Sequence, residues 1–302
     1  MKCPSPDISV IILTFNEEKQ IERCITSAKD IVSNTFIIDS DSSDNTINIA
    51  ESLRATCIRH SWEGNQAQQF NWGLENLPIK TEWVLRLDAD EYLLPELVEE
   101  IKNKLHAIPQ NVNGVIFKRR HIFFNKWMKR GIYPVKLLRL FRYKKAICEQ
   151  RWMDEHIVLL EGKSVEFDND FVDHNLNNLS RWIQKHNGYS IREAIVLLDI
   201  ELNLINSSSV KGQLHEQAEA KRSKKKKYIK QPLFLRSFLY FIYRYIFKLG
   251  FLEGKEGFLW HFLQGWWYRT LVDAKIYEIK KSCGTDKEKI KNYLKEQYSI
   301  EI

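Results

Sequence analysis

Hydrophobic and polar positions alternate between two periods over the first hundred residues. "DISVIILTF" is a continuous apolar run of the kind found in a strand buried on both faces. "NEEKQIERCITSAKDI" follows with helical spacing at Ile21, Cys24, Ile25 and Ala28, and Asn16 stands where an N-cap is expected. "TFIIDS" repeats the strand signal and "SDNTINIAESL" the helix, with Ser43 or Asp44 placed to cap it. "ATCIRH" reads as a third strand, "NQAQQFNWGLENL" as a helix ending before Pro78, and "EWVLRLDAD" as a fourth strand. Strands alternating with helices predict an α/β fold: a mainly parallel sheet with helices on both faces.

From residue 114 to about 175 the pattern changes to antiparallel-looking runs, "GVIFKRRHIFF", "VKLLRLFRY" and "HIVLLEG", rich in basic and aromatic residues. Beyond about 178 every segment carries a helical period, beginning with "NLSRWIQKHNGYSIREAIVLL". The expected organisation is an α/β domain over 1–177 and a helical region over 178–302.

In parallel sheets ligands collect beyond the carboxyl ends of the strands, and the acids of this chain fall there. Asn16 and Glu17 follow the first strand, Asp39 and Asp41 the second, Asp88 and Asp90 the fourth. Two carboxylates spaced D-x-D repel each other unless a cation or protons offset the charge. Hard oxygen donors select Mg²⁺ or Mn²⁺, which complete their shells with water and substrate phosphates. The pattern therefore predicts a metal that holds a diphosphate. D-x-D after a strand also opens haloacid-dehalogenase-type phosphatases, but no later lysine and acid pair of the kind those enzymes need is recognisable here.

Charge changes the picture at the other end. The net charge is +7, and "KRSKKKK" at 221–227 puts six basic residues into seven positions. The segment that follows, "QPLFLRSFLYFIYRYIFKLGFLEGKEGFLWHFLQGWW", is crowded with aromatic and aliphatic residues but broken by Arg236, Arg244 and Lys248. No run approaches the ~20 apolar residues that span a bilayer. Basic residues beside aromatic, amphipathic helices predict a peripheral position on an anionic membrane surface. A nucleic-acid partner is not expected, because no recognition motif accompanies the lysines. Five dispersed cysteines without a C-x-x-C pair predict neither a disulfide framework nor a zinc site. With no signal-peptide pattern at the start, the expected location is the cytoplasmic, inner face of the cell membrane.

"SVIILTFNEE", "FIIDSDSSDNT", "WEGNQAQQFNWGL" and "WVLRLDADEYL", in this order and at these separations, resemble the nucleotide-sugar-binding half of the family 2 glycosyltransferases, which have the GT-A fold. The likeness is close over 8 to about 105. It is looser through "GIYPVKLLRLFR", "RWMDEHIVLLEG" and "NLSRWIQKHNGYSIREA", which are similar to bacterial members that build lipopolysaccharide core, O-antigen, capsule or exopolysaccharide. The resemblance implies a donor half at 1–110 and an acceptor half at 111–177. It places Thr14, Asn16 and Glu17 at the base pocket, Asp39 on the base, and Asp41 with the donor. Gln69 and Asn71 lie on a segment that borders the donor in relatives. Within the tripeptide Asp88, Ala89, Asp90, Asp88 meets ribose or metal and Asp90 ligates Mg²⁺ or Mn²⁺, with His174 as a possible further ligand.

The resemblance further implies an inverting transfer from a nucleotide-sugar donor, most simply UDP-linked, to a lipid-linked oligosaccharide or lipopolysaccharide core acceptor. The base comes from "MDEHI" at 153–157: Glu155, with Asp154 as the alternative. His156 stands beside them. Many relatives carry His where this chain has Asp154, so the choice between the two acids is open at this level. The stripe Trp182, His186, Tyr189 and Glu193 lies on one helical face and reads as packing or an acceptor surface. Arg119, Arg120, Arg130, Arg139 and Arg142 form a basic middle section without individual assignments. The reading from another class is a non-catalytic membrane-surface scaffold that retains a nucleotide-sugar fold, against which the intact acids count.

Overall fold

The computed structural model describes residues 6–62, 64–205 and 212–302. Two compact units are formed. A sheet unit takes the described residues within 6–151, 155–177 and 212–219, and a helical unit takes 152–154, 178–205 and 220–302.

The sheet unit begins with the expected alternation: β1 (Ile8–Thr14), α1 (Ile21–Ala28), β2 (Asn34–Asp39), α2 (Thr46–Ser52), β3 (Thr56–Arg59), α3 (Gln66–Asn76) and β4 (Trp83–Asp88). It continues with β5 (Glu91–Leu93), α4 (Pro95–Lys104), β6 (Val112–Phe123), β7 (Lys126–Trp127), β8 (Val135–Arg142), β9 (Ala146–Cys148), β10 (Ile157–Leu159) and β11 (Lys163–Asp173). The strand order is β3-β2-β1-β4-β8-β6-β11-β5, with β7 on β6 and β9-β10 as a separate hairpin. β3, β2, β1 and β4 run parallel. Beyond them β8 is antiparallel to both β4 and β6, and β11 returns parallel to β6. The sheet is therefore mixed: four neighbouring parallel strands come from the first ninety residues, and β6 with β11 forms a second parallel pair.

Because successive strand residues point to opposite faces, each central strand feeds two cores. Ile8, Val10 and Ile12 pack with α1, α4, Leu85 and Phe171 on one side. Ile11, Phe36, Ile38 and Val84 pack with Phe70 of α3 and Phe141 on the other. Strands covered on both faces carry unbroken apolar runs for this reason.

One local expectation is corrected. Asn16 does not cap α1: a turn in which Gln20 and Ile21 amides donate to the Glu17 carbonyl comes first, and the helix starts at Ile21 with Gln20 as its N-cap. Asn16 instead takes a left-handed φ of 56°. The third helix is capped by Asn65, whose side chain accepts from the Ala67 and Gln68 amides.

The helical unit holds α5 (Leu179–Leu202), α6 (Glu216–Ile229, its first turn in the sheet unit), α7 (Leu235–Ile242), α8 (Gly254–Trp260), α9 (Tyr268–Cys283) and α10 (Lys287–Tyr298). π-helical turns at Tyr243–Phe247 and His261–Trp267 extend α7 and join α8 to α9. Its core is built from Ile195 and Leu198 of α5, Val272, Ile276 and Ile279 of α9, and Ile290 and Leu294 of α10.

Truncating a central β4 side chain tests this architecture. Leu85→Ala is expected to destabilise the sheet unit by about 2–5 kcal/mol, read from urea denaturation, because Leu85 is fully buried between β1 and β8.

Candidate active site

The parallel register sets the candidate residues in a row. Across β2, β1 and β4, Thr14 lies beside Asp39 and Leu13 beside Asp88, so three strand ends open on one edge. Asp39 is fully buried there. One carboxylate oxygen accepts from the Ser42 amide at 2.7 Å; the other accepts from the Thr14 hydroxyl at 2.7 Å and the Ser42 hydroxyl at 2.6 Å. The loops after β1 and β2 are laced together around it. The Asn16 amide donates to Ser42 Oγ, the Ser43 amide to Asn16 Oδ1, and the Glu17 amide to Thr46 Oγ1, each at 2.8 Å. Glu17 also accepts from the Gln20 side-chain amide. Asp41, with φ 62°, is exposed and accepts from the Ser61 hydroxyl at 3.2 Å.

The acids after β4 are set among arginines. Arg139 of β8 donates through one Nη to Asp88 at 3.0 Å and to Glu91 at 2.5 Å. Arg86 lies 3.6 Å from Asp88, and Arg119 of β6 lies 3.8 Å from Glu91 and 3.3 Å from Asp173. The Asp88 amide donates to Glu91 at 3.0 Å. Burial alone would raise both acids. At Asp88 the guanidiniums of Arg139 and Arg86 outweigh it and hold the carboxyl well below the usual range. At Glu91 burial wins over Arg139, the Asp88 charge adds to it, and the carboxyl is pushed up. Ala89 is buried in the core. Asp90 is half-buried, accepts from the Asn175 side-chain amide at 3.0 Å, and offers its backbone carbonyl to the His174 amide at 2.9 Å.

His174 thus adjoins Asp90. Arg23 donates to its Nδ1 at 3.1 Å, so the proton sits on Nε2, which faces Asn125 Oδ1 at 3.2 Å. Burial and the Arg23 charge lower its pKa and keep the ring neutral. Gln69 is buried and holds the ends of β2 and β3, donating to Ser40 Oγ and the His60 carbonyl and meeting His60 Nδ1. Asn71 pairs in both directions with the Cys148 backbone, which anchors β9 to α3.

The two acids of "MDEHI" part company. Asp154, at φ 60°, is exposed and bonded at 2.9 Å by Lys225, which also meets Glu193 of α5; all three belong to the helical unit. Glu155 belongs to the sheet unit, where its charge acts on Arg86 and Cys148. Next to it, His156 closes the β9-β10 hairpin, its amide donating to Glu149 at 3.1 Å and its carbonyl accepting from the Glu149 amide at 3.0 Å.

Arg139, Arg86, Arg119, Arg23, Glu91 and Asp173 join the cluster without having been individually predicted. A signal was present for Arg139: it interrupts "LLRLF" at a buried position, and a buried arginine needs a buried acid. The partner cannot be named from spacing, because residues 88 and 139 meet only through the β4-β8 pairing.

A divalent ion is tested against these donors. Among the described residues, no group of three or more His, Cys, Asp or Glu side chains converges to hold a metal. A protein-caged ion does not fit. A hard ion that takes one or two carboxylates and completes its shell from water and phosphate does fit, with Asp90 oriented by Asn175 and His174 beside it.

The glycosyl transferase family 2 model matches residues 9–159. An uncharacterized glycosyltransferase of Rickettsia bellii is 41% identical over 95 residues, which is 32% of this chain and 31% of the relative. Glycosyltransferase SunS of Bacillus phage SPbeta is 30% identical over 91 residues, 30% of this chain and 21% of the relative. The chain thus aligns with about a third or less of the length of these relatives. Among solved structures, Staphylococcus aureus TarS 1-349 aligns with 96% of this chain and 91% of its own at 14% identity and a TM-score of 0.43. Mycobacterium tuberculosis glucosyl-3-phosphoglycerate synthase, crystallised with Mn²⁺, UDP and glucosyl-3-phosphoglycerate, aligns with 39% of this chain and 44% of its own at 21% identity and a TM-score of 0.31.

The acid pair makes a pH prediction. Asp88, depressed, contributes stability that is present above the ordinary Asp range and lost in strong acid; Glu91, raised, contributes stability that is present below the ordinary Glu range and lost as pH rises. Urea midpoints taken at about pH 5 and about pH 8 should fall for the wild type, and Glu91→Gln should remove most of that fall.

Proposed function

The chain belongs to glycosyl transferase family 2, and we propose that it moves one sugar from a nucleotide diphosphate donor, UDP-linked, to a hydroxyl of a lipid-linked saccharide with inversion at the anomeric carbon. The observation that carries the proposal is the row of strand ends: Thr14, Asp39 and Asp88 stand side by side across three parallel strands, with Asp90 just beyond them.

In this reading the laced loops after β1 and β2 form the floor for the base. Thr14 and Ser42 hold Asp39 rigid beneath it, and Asn16, Glu17 and Asp41 edge the pocket. Gln69 and Asn71 act from behind, fixing the strand ends and β9 that shape it. Asp88, matched by Arg139 and Arg86, stands by the ribose, while Asp90, with His174 adjoining, would hold Mg²⁺ or Mn²⁺. The chemistry supplied by the bound ion is neutralisation of charge on the departing diphosphate. Glu155 takes the proton of the acceptor hydroxyl as that oxygen attacks the anomeric carbon, and the diphosphate leaves from the opposite face with the bonding electrons. Glu155 is preferred over Asp154 because its charge bears on Arg86, the neighbour of Asp88, whereas Asp154 is tied to Lys225. A lipid-linked acceptor places the enzyme on the inner face of the membrane, and no helix among the described residues is long and apolar enough to cross one.

Calorimetric titration with UDP, GDP, CDP and dTDP, each with and without Mn²⁺, tests the donor site. UDP is expected to bind best and to need Mn²⁺, and Asp90→Ala should abolish the Mn²⁺-dependent part; binding of none of the four would sink the proposal. Glu155→Gln should keep UDP affinity and lose about 10²–10⁴-fold in turnover, with Asp154→Asn far milder. The reverse ranking would move the base to Asp154.

A further inference from the structure

The α7 segment of the helical unit is built inside out. Along α7 and its π-helical extension, Leu235, Phe238, Leu239, Tyr243, Ile246 and Phe247 recur at helical spacing and are all exposed, Phe247 by 72%. The opposite face buries polar groups. Arg236 is enclosed against Asp273, to which Nε donates at 2.8 Å and Nη2 at 2.5 Å, and the Phe234 amide donates to the same carboxylate. Arg244, only 1% exposed, donates to Gln264, and Ser237 bonds with Thr270. The turn that follows continues the pattern: Leu249, Phe251 and Leu252 are exposed, while Glu253 and His261 are buried 3.7 Å apart.

Eleven of the eighteen large apolar side chains exposed among the described residues lie between 234 and 258, so the patch is concentrated in one element. In water this arrangement is backwards, since charged groups are rarely buried and contiguous apolar patches are rarely left exposed. In lipid it is the expected one: polar side chains turn inward to one another and apolar ones face the acyl chains. The thirteen residues from Leu235 to Phe247 extend about 20 Å as a helix, short of the ~30 Å hydrocarbon core. The element can enter one leaflet without crossing.

The neighbouring charge selects the kind of bilayer. Lys221, Lys224, Lys226, Lys227 and Lys230 are exposed on and just after α6. The end of that helix packs directly on α7, where Arg236 donates to the Ile229 carbonyl and sits over the Tyr228 ring. Lys225 is the exception within the run, committed to Asp154 and Glu193.

We infer that residues 234–258 form a monotopic docking element whose apolar face enters one leaflet of an anionic bilayer while the lysines of α6 meet its headgroups. This deepens the surface-bound reading given above by assigning the surface and its partner, and it rests on burial and charge, not on the donor site. The committed occupant is the bilayer, because a buried Arg236–Asp273 ion pair behind a largely apolar exposed face, beside exposed lysines, matches lipid better than a protein groove.

The test is sedimentation of the full chain with vesicles of phosphatidylcholine, alone or with about one third phosphatidylglycerol. The wild type should sediment with both and more with the anionic ones. Phe247→Asp with Leu252→Asp, two exposed positions that leave the core intact, should lower partitioning by at least about 10-fold with an unchanged thermal melt and unchanged UDP affinity. Three results overturn the inference: a wild type that ignores both vesicles, a double variant that partitions as well as the wild type, or a lipid-free dimer that the double variant converts to monomer, which would make a second copy the occupant. Wild-type sedimentation without UDP binding would support this element and remove only the donor reading.

Discussion

Everything at the mouth of the sheet depends on how four carboxyl groups are kept in one place without unfolding it. Asp88, Glu91 and Asp173 are met by Arg139, Arg86 and Arg119, and Asp90 leans on Asn175. Removing one partner of such a buried pair leaves an uncompensated charge, which costs far more than the pair contributes. Arg139 is the shared member. It comes from β8, in the antiparallel part of the sheet, and reaches acids that close the parallel part. The clamp therefore joins the two halves of the sheet unit at the point where the proposed donor and acceptor would meet.

A second constraint works on the backbone. Asp39 gathers Thr14 and Ser42, and Ser42 in turn receives the Asn16 amide, so two loops are held by one buried carboxylate and the residues around it. Loops at strand ends are usually the mobile part of an α/β sheet; here their polar groups are largely spent on each other. A preformed pocket loses less freedom when a ligand binds. The two acids of "MDEHI" illustrate the same economy of assignment: adjacent in sequence, they are separated by which unit supplies their counter-charge, Lys225 for Asp154 and the Arg86 field for Glu155.

The helical unit obeys a different rule. Ile195, Leu198, Val272 and Ile276 make an ordinary apolar core between α5 and α9. Around α7 the polarity is largely reversed, with Arg236, Asp273, Arg244 and His261 inside beside Phe241, and Leu235, Phe238, Leu239 and Phe247 outside. An arginine every eight residues in an aromatic segment is ambiguous as text; burial decides that these arginines are the inner face.

By itself the sequence determined the period of the elements from β1 to β4 and the positions of those strand ends, because apolar spacing is local and a doubly covered strand must be apolar throughout. That was enough to bring Thr14, Asp39, Asp88 and Asp90 to one edge, and the order of four motifs was enough for the family. Tertiary structure alone decided the rest. That β11 returns parallel to β6 within the segment that reads as antiparallel, that Arg139 answers Asp88, that Asn16 ties a loop instead of capping α1, and that Arg236 and Arg244 lie behind the apolar side of α7 all follow from strand pairing and packing between residues far apart in the chain. The physical reason is that a charge chooses its partner by distance and burial, and neither is written in the spacing of residues along the chain.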